Sequence, residues 1–158
     1  MAGARAERLR ANGIELDVVL AGPAEGPLVV LLHGFPEFSH GWRKQIGPLA
    51  AAGVRVAAPD QRGYHRSSKP PGIRAYALDV LADDVLGLAT ALGRQRFAVV
   101  GHDWGGVVAW HLAARNPEQI ERAAILNAPP LAAALRAPPS EPAREELVRR
   151  LLPAPGTA

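Results

Sequence analysis

The residues best suited to chemistry lie in one short stretch, Gly101-His102-Asp103-Trp104-Gly105-Gly106. A carboxylate is already ionised at neutral pH, so Asp103 needs no base before it attacks an electrophilic carbon. The apolar run Phe97-Ala98-Val99-Val100 ahead of it reads as a short buried strand. Beyond Trp104 the pattern becomes helical, with Val107, Val108, Trp110, His111, Leu112 and Ala114 before the stop at Asn116-Pro117. Gly-x-Asp-x-Gly-Gly is the spacing of a sharp strand-to-helix elbow, with Asp where the commoner form has Ser. Glycine at 101, 105 and 106 removes Cβ atoms that such a turn would crowd. The elbow presents Asp103 at the carboxyl edge of a parallel sheet, where ligands bind in such folds, and at a helix N-terminus that favours negative charge. The plain alternative is an ordinary Asp N-cap. The preceding strand and the three glycines weigh toward a nucleophile.

A second stretch, His33-Gly34-Phe35-Pro36-Glu37, follows the continuous apolar run Leu28–Leu32. A glycine directly after a buried strand lets the chain turn sharply, and Pro36 removes one amide donor. The remaining donor of interest is the Phe35 amide, which could point at a negative oxygen near Asp103. A simple strand-to-loop turn explains the pentapeptide equally well. His33 reads as a structural hydrogen-bonding residue within that turn, not as a base.

The elements that must position these two stretches follow in chain order. Asn12-Gly13 is a two-residue hairpin turn between Arg8-Leu9-Arg10 and the alternating segment Ile14-Glu15-Leu16-Asp17-Val18. Leu28–Leu32 has the continuous apolarity of a central strand covered on both faces. Ser39 to Ala52 is expected to be one helix, with Trp42, Ile46, Leu49 and Ala50 on one face and Gly53 as its stop. Val54–Ala58 is the next strand, and Tyr76 to Leu92 is expected to be a helix capped by Gly93. The elbow strand and helix follow, then a strand at Ala123–Leu126. Strands alternating with helices predict an α/β fold with a mostly parallel sheet, right-handed crossovers and a leading antiparallel hairpin. From Pro129 a Pro-, Ala- and Arg-rich tail begins, in which Glu141 to Leu152 is expected to form one amphipathic helix and the last six residues to fray. The expected division is therefore 1–129 and 130–158.

Composition narrows the function classes. The chain of 158 residues suits a single domain of common size, and 48% hydrophobic with 21% charged residues is a globular balance. With no cysteine, neither disulfides nor thiolate metal sites are available. The net charge of +3 comes from scattered arginines and not from a stripe, which argues against a nucleic-acid partner. The first residues lack the apolar segment of a signal peptide, and no run approaches membrane-spanning length. A cytoplasmic protein with no membrane partner is the expectation.

Three stretches in this order resemble the α/β-hydrolase family, and within it the epoxide hydrolase and haloalkane dehalogenase branch. They are His33-Gly34-Phe35-Pro36-Glu37 with Trp42-Arg43, Asp60-Gln61-Arg62-Gly63-Tyr64 followed by Ser67-Ser68-Lys69-Pro70, and Gly101-His102-Asp103-Trp104-Gly105-Gly106. The resemblance covers about Arg8 to Pro129 and is nearest the epoxide hydrolases. Dehalogenases of the branch tend to carry Asn where Phe35 stands, and serine esterases carry Ser at 103. His65 and Pro130 stand where the family more often has Gly and His.

The resemblance implies a mechanism without a cofactor or metal. Asp103 would open a small apolar epoxide from behind and form an alkyl-enzyme ester. A His-activated water would then attack the ester carbonyl, with the oxyanion held by the backbone amides of Phe35 and Trp104, to give a vicinal diol. His33, Gly34, Pro36, Gly101, His102, Gly105 and Gly106 would shape the motif. The family places its acid, its late His and a cap with ring-opening tyrosines after the sixth strand. The histidines here are His33, His40, His65, His102 and His111, and the tyrosines are Tyr64 and Tyr76. The sequence is therefore expected to be the amino-terminal part of the fold, ending after about the sixth strand, with self-association through an uncovered sheet edge. Three readings stay open: part of an epoxide hydrolase, a short binding or interaction protein without turnover, and part of a haloalkane dehalogenase in which the Trp104 indole would hold halide.

Overall fold

The computed structural model describes residues 3–130. The expected helix at Glu141 to Leu152 lies outside the described residues. The described residues up to Ala128 belong to one compact unit.

A hairpin opens the chain. Strands β1 (Arg5–Ala11) and β2 (Ile14–Ala21) pair antiparallel, with Ala11 opposite Ile14. Asn12 and Gly13 both take positive φ, at 47° and 76°, which a two-residue turn needs to match the twist of its strands. Along β2 the side chains of Ile14, Leu16, Val18 and Leu20 are buried, while Glu15 is exposed and Asp17 and Val19 are half-buried. The remaining strands are β3 (Leu28–Leu32), β4 (Arg55–Pro59), β5 (Phe97–His102) and β6 (Ile120–Leu126). The sheet order is β1-β2-β4-β3-β5-β6; β1, β2 and β4 run antiparallel to their neighbours in turn, and β4, β3, β5 and β6 are mutually parallel. Hydrogen bonding in register places Val30 between Ala57 and Val99, so the strands end together at one edge.

Helices cover both faces. Helix α1 (Arg43–Ala51) packs on one face, where Ile46 and Trp42 meet Leu31, Val56 and Ala58. Helices α2 (Leu78–Ala91) and α3 (Trp104–Arg115) pack on the other, where Leu81, Val85, Leu88, Val108 and Leu112 meet Val18, Val30, Leu32 and Val99. Alternate residues of β3 and β4 feed the two cores, which accounts for their unbroken apolarity.

Two helices differ from expectation at their starts. The predicted helix from Ser39 begins with a separate 3-10 turn, Ser39–Trp42, before α1. The Ser39 N–H is held by the Asp60 carboxylate at 3.0 Å, so a tertiary contact fixes this entry. The helix predicted from Tyr76 begins only at Leu78, after a 3-10 turn at Ile73–Tyr76 and an extended Ala77. The Tyr76 hydroxyl donates to the Pro70 carbonyl at 2.9 Å, and its ring edge occupies the space where a Cβ on Gly63 would stand. That docking holds Tyr76 in the loop. Among the described residues β6 is the outermost strand beyond β5, and Glu121, Arg122, Ala123, Ala124 and Leu126 are exposed along it.

Candidate active site

The site is built where β3 and β5 end side by side, with Leu32 opposite Gly101. Beyond Gly101 the chain must reverse from strand to helix within two residues. A Cβ on Gly101 would stand 2.6 Å from the Gly105 carbonyl carbon and 2.7 Å from the Gly106 Cα. A Cβ on Gly105 would stand 2.6 Å from the His33 carbonyl oxygen. Helix α3 can start this close to both strands only because these positions carry no side chain. Gly106 in turn accommodates the methyl of Ala128.

Asp103 is the residue at the tip. Its φ of 51° and ψ of −118° are a strained backbone for a non-glycine residue, of the kind found at functional turns. Its N–H donates to the Leu126 carbonyl at 3.0 Å, and its carbonyl accepts the N–H groups of Gly106 and Val107, which begins the helix. Its side chain makes no capping bond to α3. The carboxylate reaches across instead, and its Oδ1 accepts the Phe35 N–H at 2.9 Å. An ordinary N-cap would turn its oxygen back onto its own helix, so this geometry departs from the capping alternative. The amides of Phe35 and then Trp104 hold the Asp103 carboxyl below the usual carboxylate range. Among the described residues only the Phe35 amide makes a well-formed hydrogen bond to it.

The turn that supplies this amide is held from several sides. Gly34 lies against Asp103, where an added Cβ would stand 2.7 Å from the Asp103 Cβ. Pro36 follows through a cis bond, and the Glu37 N–H closes the turn on the Gly34 carbonyl at 2.9 Å. The His33 ring is buried, with Nδ1 facing the Gly34 carbonyl and Nε2 facing the Gln61 N–H, both at 2.9 Å. An amide N–H can only donate, so Nε2 accepts and the proton resides on Nδ1. Burial lowers the His33 pKa in accord with this neutral form. Both ring nitrogens are committed to backbone, and the imidazole is a brace.

The other histidines have different surroundings. His102 faces Glu37 across 3.5 Å, and both line a cavity of about 240 Å³ with Trp42, Gln45 and Leu126. His65 Nδ1 donates to the Asp60 carboxylate at 2.8 Å, and its ring stacks on Phe38. His111 meets Asp79 on the outer surface of α2 and α3. The Tyr64 ring sits edge-on to His33 at 4.8 Å, and burial together with the nearby Asp103 carboxylate raises the phenol pKa. Phe35 is 73% exposed and Trp104 42%, so the carboxylate stands among exposed apolar surfaces.

The stretch after β4 carries roles that residue patterns alone do not assign. Buried Asp60 accepts from Ser39, His65 and Arg66, joining the loop after β3 to the loop after β4. Its carboxyl is lowered by those hydrogen bonds despite burial, which by itself raises it. Arg62 makes a buried two-point pair with Asp84 at 2.7 and 2.6 Å, and Asn12 adds a third bond to the same carboxylate. The sequence marks this stretch through the resemblance carried by Asp60-Gln61-Arg62-Gly63-Tyr64 and through polarity where a buried strand ends, but neither assigns these partners.

Among the described residues no group of three or more His, Asp or Glu is arranged to hold a metal ion, and no helix is long and apolar enough to cross a membrane.

Known proteins resemble this chain in sequence and fold. The chain is 54% identical over 129 residues to the AB hydrolase superfamily protein YfhM of Bacillus subtilis, covering 82% of this chain and 45% of that one. It is 46% identical over 140 residues to epoxide hydrolase A of Mycobacterium tuberculosis, covering 88% and 43%. In structure it superposes on epoxide hydrolase A of Mycobacterium thermoresistibile with a TM-score of 0.80 at 42% identity, covering 85% of this chain and 44% of that one. It thus spans less than half the length of these relatives. The sequence profile of the alpha/beta hydrolase fold matches residues 27–154, and with this sheet and elbow the chain belongs to that family.

Proposed function

We propose that Asp103 is the nucleophile of an epoxide-opening hydrolase, acting on a small apolar epoxide. The observation that carries the reading is the strained Asp103 at the strand-to-helix tip, its carboxylate making no capping bond to α3 and reaching across to the Phe35 amide. That bond occupies Oδ1 and leaves Oδ2 to attack. Oδ2 forms a bond to an epoxide carbon while the C–O bond breaks, and its electron pair moves onto the ring oxygen, which takes a proton from water. The product is an ester of Asp103 with Oδ1 as the carbonyl oxygen. When water adds to that carbonyl, Oδ1 becomes the oxyanion and the amides of Phe35 and Trp104 stabilise it. Each such donor is worth on the order of 3 kcal/mol in related acyl chemistry. Exposed Phe35 and Trp104 supply apolar surface for the substrate, and the epoxide hydrolases among the relatives support this substrate class.

The ester-forming and ester-cleaving steps draw on different groups. His33 spends both ring nitrogens on backbone, His65, His102 and His111 face Asp60, Glu37 and Asp79, and His40 stacks on Phe38. The 158-residue chain assayed by itself is therefore expected to accumulate the ester. Intact mass after incubation with styrene oxide should show one adduct, mapped to the peptide that carries Asp103 and lost in Asp103→Asn. An adduct elsewhere, or none, refutes the nucleophile; rapid multiple turnover refutes the division between steps. Bromide release from a brominated alkane, with no reaction toward the epoxide, would move the substrate to a haloalkane.

The exposed β6 also supports self-association through its outer edge. Sedimentation of the purified chain should then show concentration-dependent dimers or larger species, and a monomer at all concentrations would refute it.

A further inference from the structure

The Phe35 amide reaches Asp103 only if the peptide planes on both sides of Gly34 are held. Gly34 has no side chain, and its wide conformational freedom would let either plane rotate. The plane before it ends in the His33 carbonyl, which accepts the Gln61 side-chain amide at 2.6 Å. The plane after it carries the Gly34 carbonyl at one end and the Phe35 N–H at the other. That carbonyl accepts from the His33 ring, and the His33 ring is itself fixed by the Gln61 main-chain N–H. One buried residue on the neighbouring strand end thus grips both planes, one with its side chain and one through the imidazole.

We infer that Gln61 is a positioning residue whose side-chain amide aims the Phe35 N–H at the Asp103 carboxylate. Among the described residues Gln61 makes no hydrogen bond to Asp103; its polar partners are His33 and the Tyr64 N–H. Its effect on reactivity rests on Asp103 being the nucleophile, whereas its effect on the Phe35 amide does not.

The test uses the full chain, labelled with nitrogen-15, and two substitutions. Gln61→Met keeps the side chain's length and removes its donor. Hydrogen exchange at Phe35 should accelerate at least about tenfold, as for a lost interaction of about 1.4 kcal/mol, while the strand amides of Leu31 and Val99 keep their protection. The rate of adduct formation with styrene oxide should fall by a similar factor. Gln61→Glu restores a donor only when its carboxyl is protonated, so its Phe35 signal should return toward the wild-type position between pH 8 and pH 5, whereas the wild-type signal, exposed to the same His33 titration, should show no such return. That difference decides the matter even if Gln61→Met fails to fold, because His33 and the packing around it are common to both chains. A Phe35 amide unmoved in Gln61→Met, or one that does not respond to pH in Gln61→Glu, overturns the positioning role. A wild-type chain that forms no adduct, with Phe35 responding as described, overturns the nucleophile and leaves the positioning role supported.

Discussion

Gly34→Ala separates the chemistry of the site from the stability of the fold. An ideal Cβ at this position stands 2.7 Å from the Asp103 Cβ and 2.9 Å from its Oδ1. Ordinary contact begins near 3.4 Å, so Asp103 must retreat by roughly 0.7 Å. A similar movement of Oδ1 away from Phe35 takes that hydrogen bond from 2.9 Å to about 3.6 Å, beyond useful reach. A displacement of this size in a reacting group costs on the order of tenfold to a hundredfold in rate. The stability cost should be about 1–3 kcal/mol, the usual range for overpacking, because the Asp103 Cβ is tied to the elbow backbone and cannot swing clear by side-chain rotation alone. Gly101→Ala is the contrast: its Cβ meets the backbone of Gly105 and Gly106, so α3 itself must shift and stability should fall by the upper end of that range or more. Gly47→Ala is the control: beyond its own helix and chain neighbours its Cβ meets nothing within 4 Å, the following Pro48 offsets the usual gain of Ala over Gly, and the alkylation rate should stay at the wild-type value. Urea unfolding gives the stabilities, and intact mass with styrene oxide gives the alkylation rates. A Gly34→Ala chain that alkylates at the wild-type rate refutes the claim that contact between Gly34 and Asp103 sets the nucleophile's position.

Adduct formation should be nearly constant from pH 8 down to pH 5, because the amides of Phe35 and Trp104 hold the Asp103 carboxyl below 3.8; loss of half the rate near pH 5 would contradict this. Stability should fall as the pH drops below 6.5. The unfolded chain protonates His33 there while burial keeps the folded form neutral until a lower pH, so unfolding takes up a proton. Urea titrations of wild type and His33→Gln at pH 7.5 and 5.5 test this, and an identical pH slope in both would exclude His33 as the source. Arg62→Met should cost about 3–5 kcal/mol by leaving the buried Asp84 carboxylate without its two-point partner, even with Asn12 in place; a change under 1 kcal/mol in urea unfolding would show that Asn12 and water suffice.

Local chemistry made much of this protein legible before its structure. Asn12-Gly13 announced a hairpin because few other pairs tolerate two successive positive φ angles. Leu28–Leu32 and the alternating Ile14–Val18 announced strands because the side-chain period of a strand is two. The glycines around Asp103 announced an elbow because a side chain there would strike the backbone it turns against. Contacts between residues distant in sequence were not legible in the same way. The direction of the Asp103 carboxylate, toward its own helix or toward Phe35, depends on how β3 and β5 end beside each other. The late starts of α1 and α2 depend on Asp60 capturing Ser39 and on Tyr76 docking at Gly63. His33 became a neutral brace, and Gln61 its holder, only once the ends of β3 and β4 stood level. Propensity and spacing act over a few residues, whereas hydrogen bonds between strand ends are chosen by the sheet's register, and the register exists only in the folded chain.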